Sequence, residues 1–160
     1  MRKLVTAIVV GGLVGGLVAA PGALAVKAPK PVSGTVSVNT TPTTIEPTTT
    51  TVAVSGNVSS SSSCRKDRTV RFSYVNSTTG VITPLAETAV TGSNGDYTTT
   101  LPKPTDAGPA TLTLRATVDE VIRKVGSHKK GKKNKKGRQF DCLEITGDSS
   151  PLTVSEPATP

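Results

Sequence analysis

The chain has 160 residues, 19 Lys and Arg against 11 Asp and Glu (net charge +8), one His, two Cys, no Trp, two Tyr and two Phe. That length holds one domain, and the scarcity of large side chains requires a thin core of Val, Leu, Ile and Ala. One histidine and two isolated cysteines do not make a metal-ligand set.

The first residues, Met1-Arg2-Lys3, are basic; Leu4 to Ala20 is uncharged; Pro21-Gly22 breaks the run, and Ala23-Leu24-Ala25 follows. Basic, apolar, then Ala-x-Ala is the order of a cleavable secretory signal, so residues 1–25 are expected to be removed, leaving Val26 first. The rival reading is a retained anchor, because Leu4 to Val26 carries no charge and is long enough to span a bilayer. The glycines inside it and the well-formed triplet favour removal. No Cys follows to take a lipid and no second membrane-length apolar run occurs, so the mature chain is expected to be soluble, without a transmembrane segment, and secreted or held in the cell envelope.

Residues 26–51 are rich in Pro, Thr, Ser and Lys, with low-complexity runs at Asn39 to Thr44 and Thr48 to Thr51. So little apolar surface does not offset the entropy of ordering, and the stretch reads as a linker or stalk whose threonines could carry O-linked sugars. Within it, Ser33 to Val38 alternates enough to form an extra edge strand.

The domain proper is expected at 52–155. Val52, Val54 and Val58 alternate with polar residues, and Ser59 to Ser63 is a serine loop. In Arg68 to Tyr74, Val70, Phe72 and Tyr74 point inward and Arg71 outward. A turn at Asn76 to Gly80 leads to a short extended piece, Val81 to Leu85, broken by Pro84, and then a strand at Ala86 to Thr91. Ser93-Asn94-Gly95-Asp96 is a hairpin signal, because Asn-Gly tolerates positive φ. Strands follow at Tyr97 to Leu101, Ala110 to Val118, Phe140 to Ile145 and Leu152 to Val154. About seven short strands without a convincing helix after the signal mean an all-β, antiparallel β-sandwich. Cys64 and Cys142, an even pair in an exported chain, are expected to form one disulfide, worth roughly 4 kcal/mol by the chain-entropy model.

Val54-Ser55-Gly56-Asn57-Val58, Cys64 with Arg68-Thr69-Val70, Gly95-Asp96-Tyr97, and Gly108 leading into Ala110 to Val118 resemble the carboxypeptidase regulatory-like domain. That family has a transthyretin-like, immunoglobulin-like sandwich and is similar to the Cna-B repeats of surface adhesins. The resemblance covers Val52 to Val154 and implies a secreted or cell-surface, non-catalytic module for structure, adhesion or ligand binding. Cna-B domains often carry a Lys–Asn isopeptide bond; here Val52 to Val58 has no Lys and Pro151 to Val154 no Asn, and the disulfide takes that role.

Catalytic readings are poorly supported. His128 lies in a basic loop with no neighbouring carboxylate to orient it, and no serine occupies Gly-x-Ser-x-Gly. Asp119-Glu120 reads as a solvated turn rather than a catalytic pair. Asp96 and Asp148 stand beside glycines, without the spaced Asp-x-Asp of a calcium loop. No cofactor is expected, and a small secreted hydrolase is the weakest of the readings.

One feature remains. Lys129, Lys130, Lys132, Lys133, Lys135, Lys136 and Arg138 place seven cations in ten residues with no acid among them, inside a loop at 127–139. Like charges at this density repel and stay in solvent. The bland reading is a solubilising hairpin tip. The functional reading is capture of a polyanion: anionic polysaccharide, teichoic acid, lipid headgroups or nucleic acid. No aromatic interleaves the lysines, so stacking on bases and sequence-specific reading of nucleic acid are not expected.

Overall fold

The computed structural model describes residues 28–104, 109–126 and 138–155. Twelve strands follow one another: β1 (Lys30–Val32), β2 (Thr35–Thr41), β3 (Thr44–Ile45), β4 (Thr51–Ser59), β5 (Thr69–Asn76), β6 (Ile82–Val90), β7 (Asp96–Pro102), β8 (Ala110–Val118), β9 (Val121–Val125), β10 (Arg138–Cys142), β11 (Ile145–Asp148) and β12 (Leu152–Val154). They form a six-stranded sheet, β3-β12-β8-β5-β6 with β11 also on β8, and two three-stranded sheets, β2-β4-β7 and β1-β10-β9. Among the described residues there is no helix, and the all-β sandwich expected from the alternation is what forms.

The sandwich is the β2-β4-β7 sheet packed on the six-stranded one. Alternation puts Val36, Val38, Val52, Val54, Val58, Tyr97 and Leu101 on one inner face. They meet Val70, Phe72, Tyr74, Leu112, Leu114, Ala116, Val118 and Leu152 from the other. Phe72 and Tyr97 are the central rings, 6.0 Å apart and tilted by 49°. Tyr97 also ties its own sheet together. It lies opposite Gly56 in register, passes over that residue, and its hydroxyl donates to Ser37 O at 2.7 Å, two strands away. A Cβ at Gly56 would run into the Tyr97 ring, so this place in the strand requires glycine. At the β4–β7 end of the sheet, Gly95 takes φ 91° in the Asn-Gly turn, as its sequence predicts.

Four expectations need correction. The expected edge strand at Ser33 to Val38 forms as β2, at the edge of its sheet, but the rest of 26–51 is no linker or stalk: Lys30 to Ile45 also supplies β1 and β3, and Val36, Val38 and Ile45 enter the core. Threonine misleads here: on a strand's outer face it is a favoured residue, so a Thr-rich stretch with Val or Ile at alternate places is a half-buried strand. Pro84 does not divide the chain into two pieces. It lies in the continuous β6, the outermost strand of its sheet, where proline is tolerated and the register slips between Arg71 and Ser73. Phe140 to Ile145 is not one strand, because the chain leaves β10 at Cys142 and enters β11, on another sheet, at Ile145. β9, finally, forms where no strand was expected.

Candidate functional site

The cationic loop is the connection of a β-hairpin. β9 and β10 pair antiparallel over five consecutive residues, from Val121 with Cys142 to Val125 with Arg138. Lys129, Lys130, Lys132, Lys133, Lys135 and Lys136 lie outside the described residues, as does His128. Of the seven cations, Arg138 is described: it is exposed, at the first position of β10. The base of the hairpin carries further positive charge in Lys30 of β1 and Arg123 and Lys124 of β9. Arg123 is committed elsewhere, donating to Lys66 O at 2.8 Å and Asp67 O at 2.6 Å. Asp67 takes φ 50°, a backbone state that Asp tolerates better than most residues.

Beneath the hairpin, three chain segments meet at a disulfide and an arginine. Cys64 and Cys142 are bonded, with Cα atoms 5.4 Å apart, a sequence separation of 78, and no exposed surface on either residue. This is the pairing expected from the cysteine count. Arg68, 2% exposed, has no carboxylate hydrogen-bonded to its guanidinium. The group donates instead to backbone carbonyls: Cys64 O at 2.8 Å, Leu143 O at 3.0 Å, Cys142 O at 3.4 Å, and Asp119 O through both Nε and Nη2. Burial pushes its pKa down, the Arg123 charge adds to that, and Asp119 opposes both. A guanidinium starts so high that it stays charged, so a whole cation is held here by carbonyl dipoles. Arg68 shares the parity of Val70, Phe72 and Tyr74, which puts it on the inward face, but its acceptors at Asp119 and Leu143 lie 51 and 75 residues further along.

The carboxylates weighed for chemistry are spread apart. Asp96, in β7, accepts from Asn57 Nδ2 at 2.6 Å. Asp148, in β11, accepts from Arg115 at 2.8 and 2.9 Å, which holds its pKa below the usual carboxylate range. Asp119 pairs with Arg71 at 2.6 Å, which gives the Asp119-Glu120 connection a structural part. Two open hollows flank the threonine-rich side of the β2-β4-β7 sheet, one lined by Thr40 to Thr44 with Glu46 and Thr49, the other by Thr41, Ala53 to Ser55 and Thr98 to Thr100. Neither brings an acid, a base and a nucleophile together.

No family model matches the chain, and no curated protein gives a significant match to it.

Proposed function

We propose that the chain is an exported, non-catalytic β-sandwich module whose Lys-rich hairpin associates electrostatically with anionic polymers of the cell surface. In this reading residues 1–25 are the export signal, and the resemblance of Val52 to Val154 to carboxypeptidase regulatory-like domains suggests the module's character. The observation that carries it is the charge distribution: seven cations and no acid between Lys129 and Arg138, in a chain whose other charges are nearly balanced. Pairing of Val125 with Arg138 supports the reading, because it makes those cations the connection of one hairpin. Lysine in place of arginine favours point-charge attraction over forked recognition, so the partners are polyanions as a class: acidic polysaccharide, teichoic acid or lipid headgroups.

Binding of this kind is driven by counterion release and weakens steeply with salt, by roughly 0.7 to 0.9 log units per log unit of salt for each charge neutralised. A hairpin tip engages only part of its charge at once, so the expected slope is about −3 to −5. The test is a salt titration on immobilised heparin and on anionic liposomes, beside a variant with Lys132, Lys133, Lys135 and Lys136 changed to Gln. The variant should elute earlier from both surfaces. Co-elution, or no retention of the wild type at physiological ionic strength, leaves a purely structural or adhesion domain whose loop has no partner.

A further inference from the structure

The β1-β10-β9 sheet lies outside the hydrophobic core: none of its residues belongs to the cluster that fills the sandwich. Its strands pack on one another and not along the strands of the other two sheets. Three short joints connect it to the sandwich: Ser33-Gly34 after β1, Asp119-Glu120 before β9 and Leu143-Glu144 after β10. What docks it is covalent and polar. Arg123 donates to Lys66 O and Asp67 O, Arg68 bridges Cys64 O on one side to Asp119, Cys142 and Leu143 carbonyls on the other, and the disulfide closes the same gap. Two of the carbonyls around Arg68 belong to the bonded cysteines themselves. Parting the sulfur atoms therefore lets the acceptors of the buried cation move away, and a guanidinium that loses its acceptors is drawn to water.

We infer that Cys64–Cys142 is a redox latch, which keeps the small sheet docked when oxidised and releases it from an intact sandwich when a dithiol reduces it. The reaction is thiol–disulfide exchange. A thiolate of the dithiol attacks one sulfur, the Cys64–Cys142 bond breaks, and the departing sulfur takes a proton. The second thiol of the reductant then displaces the mixed disulfide. The dithiol becomes a disulfide, and its two electrons and two protons leave Cys64 and Cys142 as thiols. Both cysteines are fully buried, so exchange waits on opening of the Arg68 and Arg123 contacts, and the latch responds at the rate of that local opening. The inference does not depend on what the basic hairpin binds.

Hydrogen exchange on the full chain tests it, comparing the oxidised protein, the protein reduced with dithiothreitol, and a Cys64→Ser/Cys142→Ser variant. Amides of β9 and β10 should exchange at nearly unprotected rates in the latter two, while those of β4, β5 and β8 stay protected, accelerated by no more than the ~10³-fold that loss of the crosslink's chain-entropy contribution implies, and reoxidation should restore the first set. Arg68→Lys, with the disulfide intact, should be reduced by dithiothreitol about 10-fold faster, because opening is easier. Undiminished protection of β9 and β10 after reduction overturns the latch. Loss of protection throughout the sandwich overturns it equally, since the bond would then staple the whole fold.

Discussion

The sandwich and the small sheet use strands of the same kind and are held by different forces. The sandwich is secured by apolar area: Val, Leu and three aromatic rings, Phe72, Tyr74 and Tyr97, interdigitate between two sheets, with the tyrosine hydroxyls as the polar groups of that cluster. The small sheet exposes Ile122 and Val125 and is fastened by a disulfide and two arginines. Apolar burial is non-directional and distributed over many residues, whereas the polar attachment is directional and concentrated in a few. One region should therefore lose stability in proportion to lost volume. The other should respond to changes at single groups.

The sharpest contrast comes from matched truncations. Phe72→Ala removes a ring that is 1% exposed at the centre of the core and should cost about 3–5 kcal/mol in denaturant unfolding. Ile122→Ala, at a side chain 55% exposed on the small sheet, should change stability by under about 0.5 kcal/mol. Comparable losses at the two positions would mean that the regions share one core.

Alkaline pH separates the regions next. Burial pushes the pKa of Tyr74, helped by Glu87, and that of Tyr97 up to about 12. Each hydroxyl donates to a carbonyl, Tyr74 to Pro102 O at 3.0 Å and Tyr97 to Ser37 O at 2.7 Å. Unfolded, a tyrosine releases its proton near pH 10, so above that the unfolded chain binds fewer protons than the folded one. Stability should be complete below pH 10 and fall as pH rises toward 12, by about 2 kcal/mol for each ring. Thermal melts across this range, with Tyr74→Phe and Tyr97→Phe flattening the decline, check it. Both tyrosines lie in the sandwich, so β9 and β10 should follow the melt and not precede it.

The smallest effect is expected at the surface. Asp148 is paired with Arg115 and its pKa is lowered, so the pair stabilises above the ordinary carboxylate range and is lost as pH falls through the folded value. Both side chains are well exposed, so Asp148→Asn should cost less than about 1 kcal/mol at pH 7 and nothing measurable in acid. Denaturation midpoints at pH 7 and in acid check it. A larger effect would show that polar attachment also matters within the sandwich.

Which parts of this were legible in the sequence follows the same division. Alternation exposes inward residues wherever one face meets apolar neighbours, so Val70, Phe72, Tyr74 and the run Ala110 to Val118 were readable with their orientation. The hairpin at Asn94-Gly95 was readable because its backbone demands particular residues. The small sheet was not, because Val121 to Val125 has two cations among its five residues and its partners arrive through Cys142 and Arg68. The disulfide was inferred from count and compartment. The arginine beside it falls on the inward face by alternation with Val70 and Phe72, but its role was not legible, since a guanidinium that binds only carbonyls leaves no charged partner to find.

One pairing pattern bears on the order in which the chain is made. β1 lies parallel to β10 and β3 parallel to β12, so these two early strands find their neighbours only among residues 138–154. Until those residues leave the ribosome, Ile45 has no strand to cover it on that side and Lys30 to Val32 has no ladder to join. Joining segments so far apart carries a loop-closure cost that pairings nearer in the chain, such as β2 with β4 and β5 with β6, do not bear. A nascent chain of this design can pair β2 with β4, β4 with β7 and β5 with β6 as they emerge, and it adds β1 and β3 last.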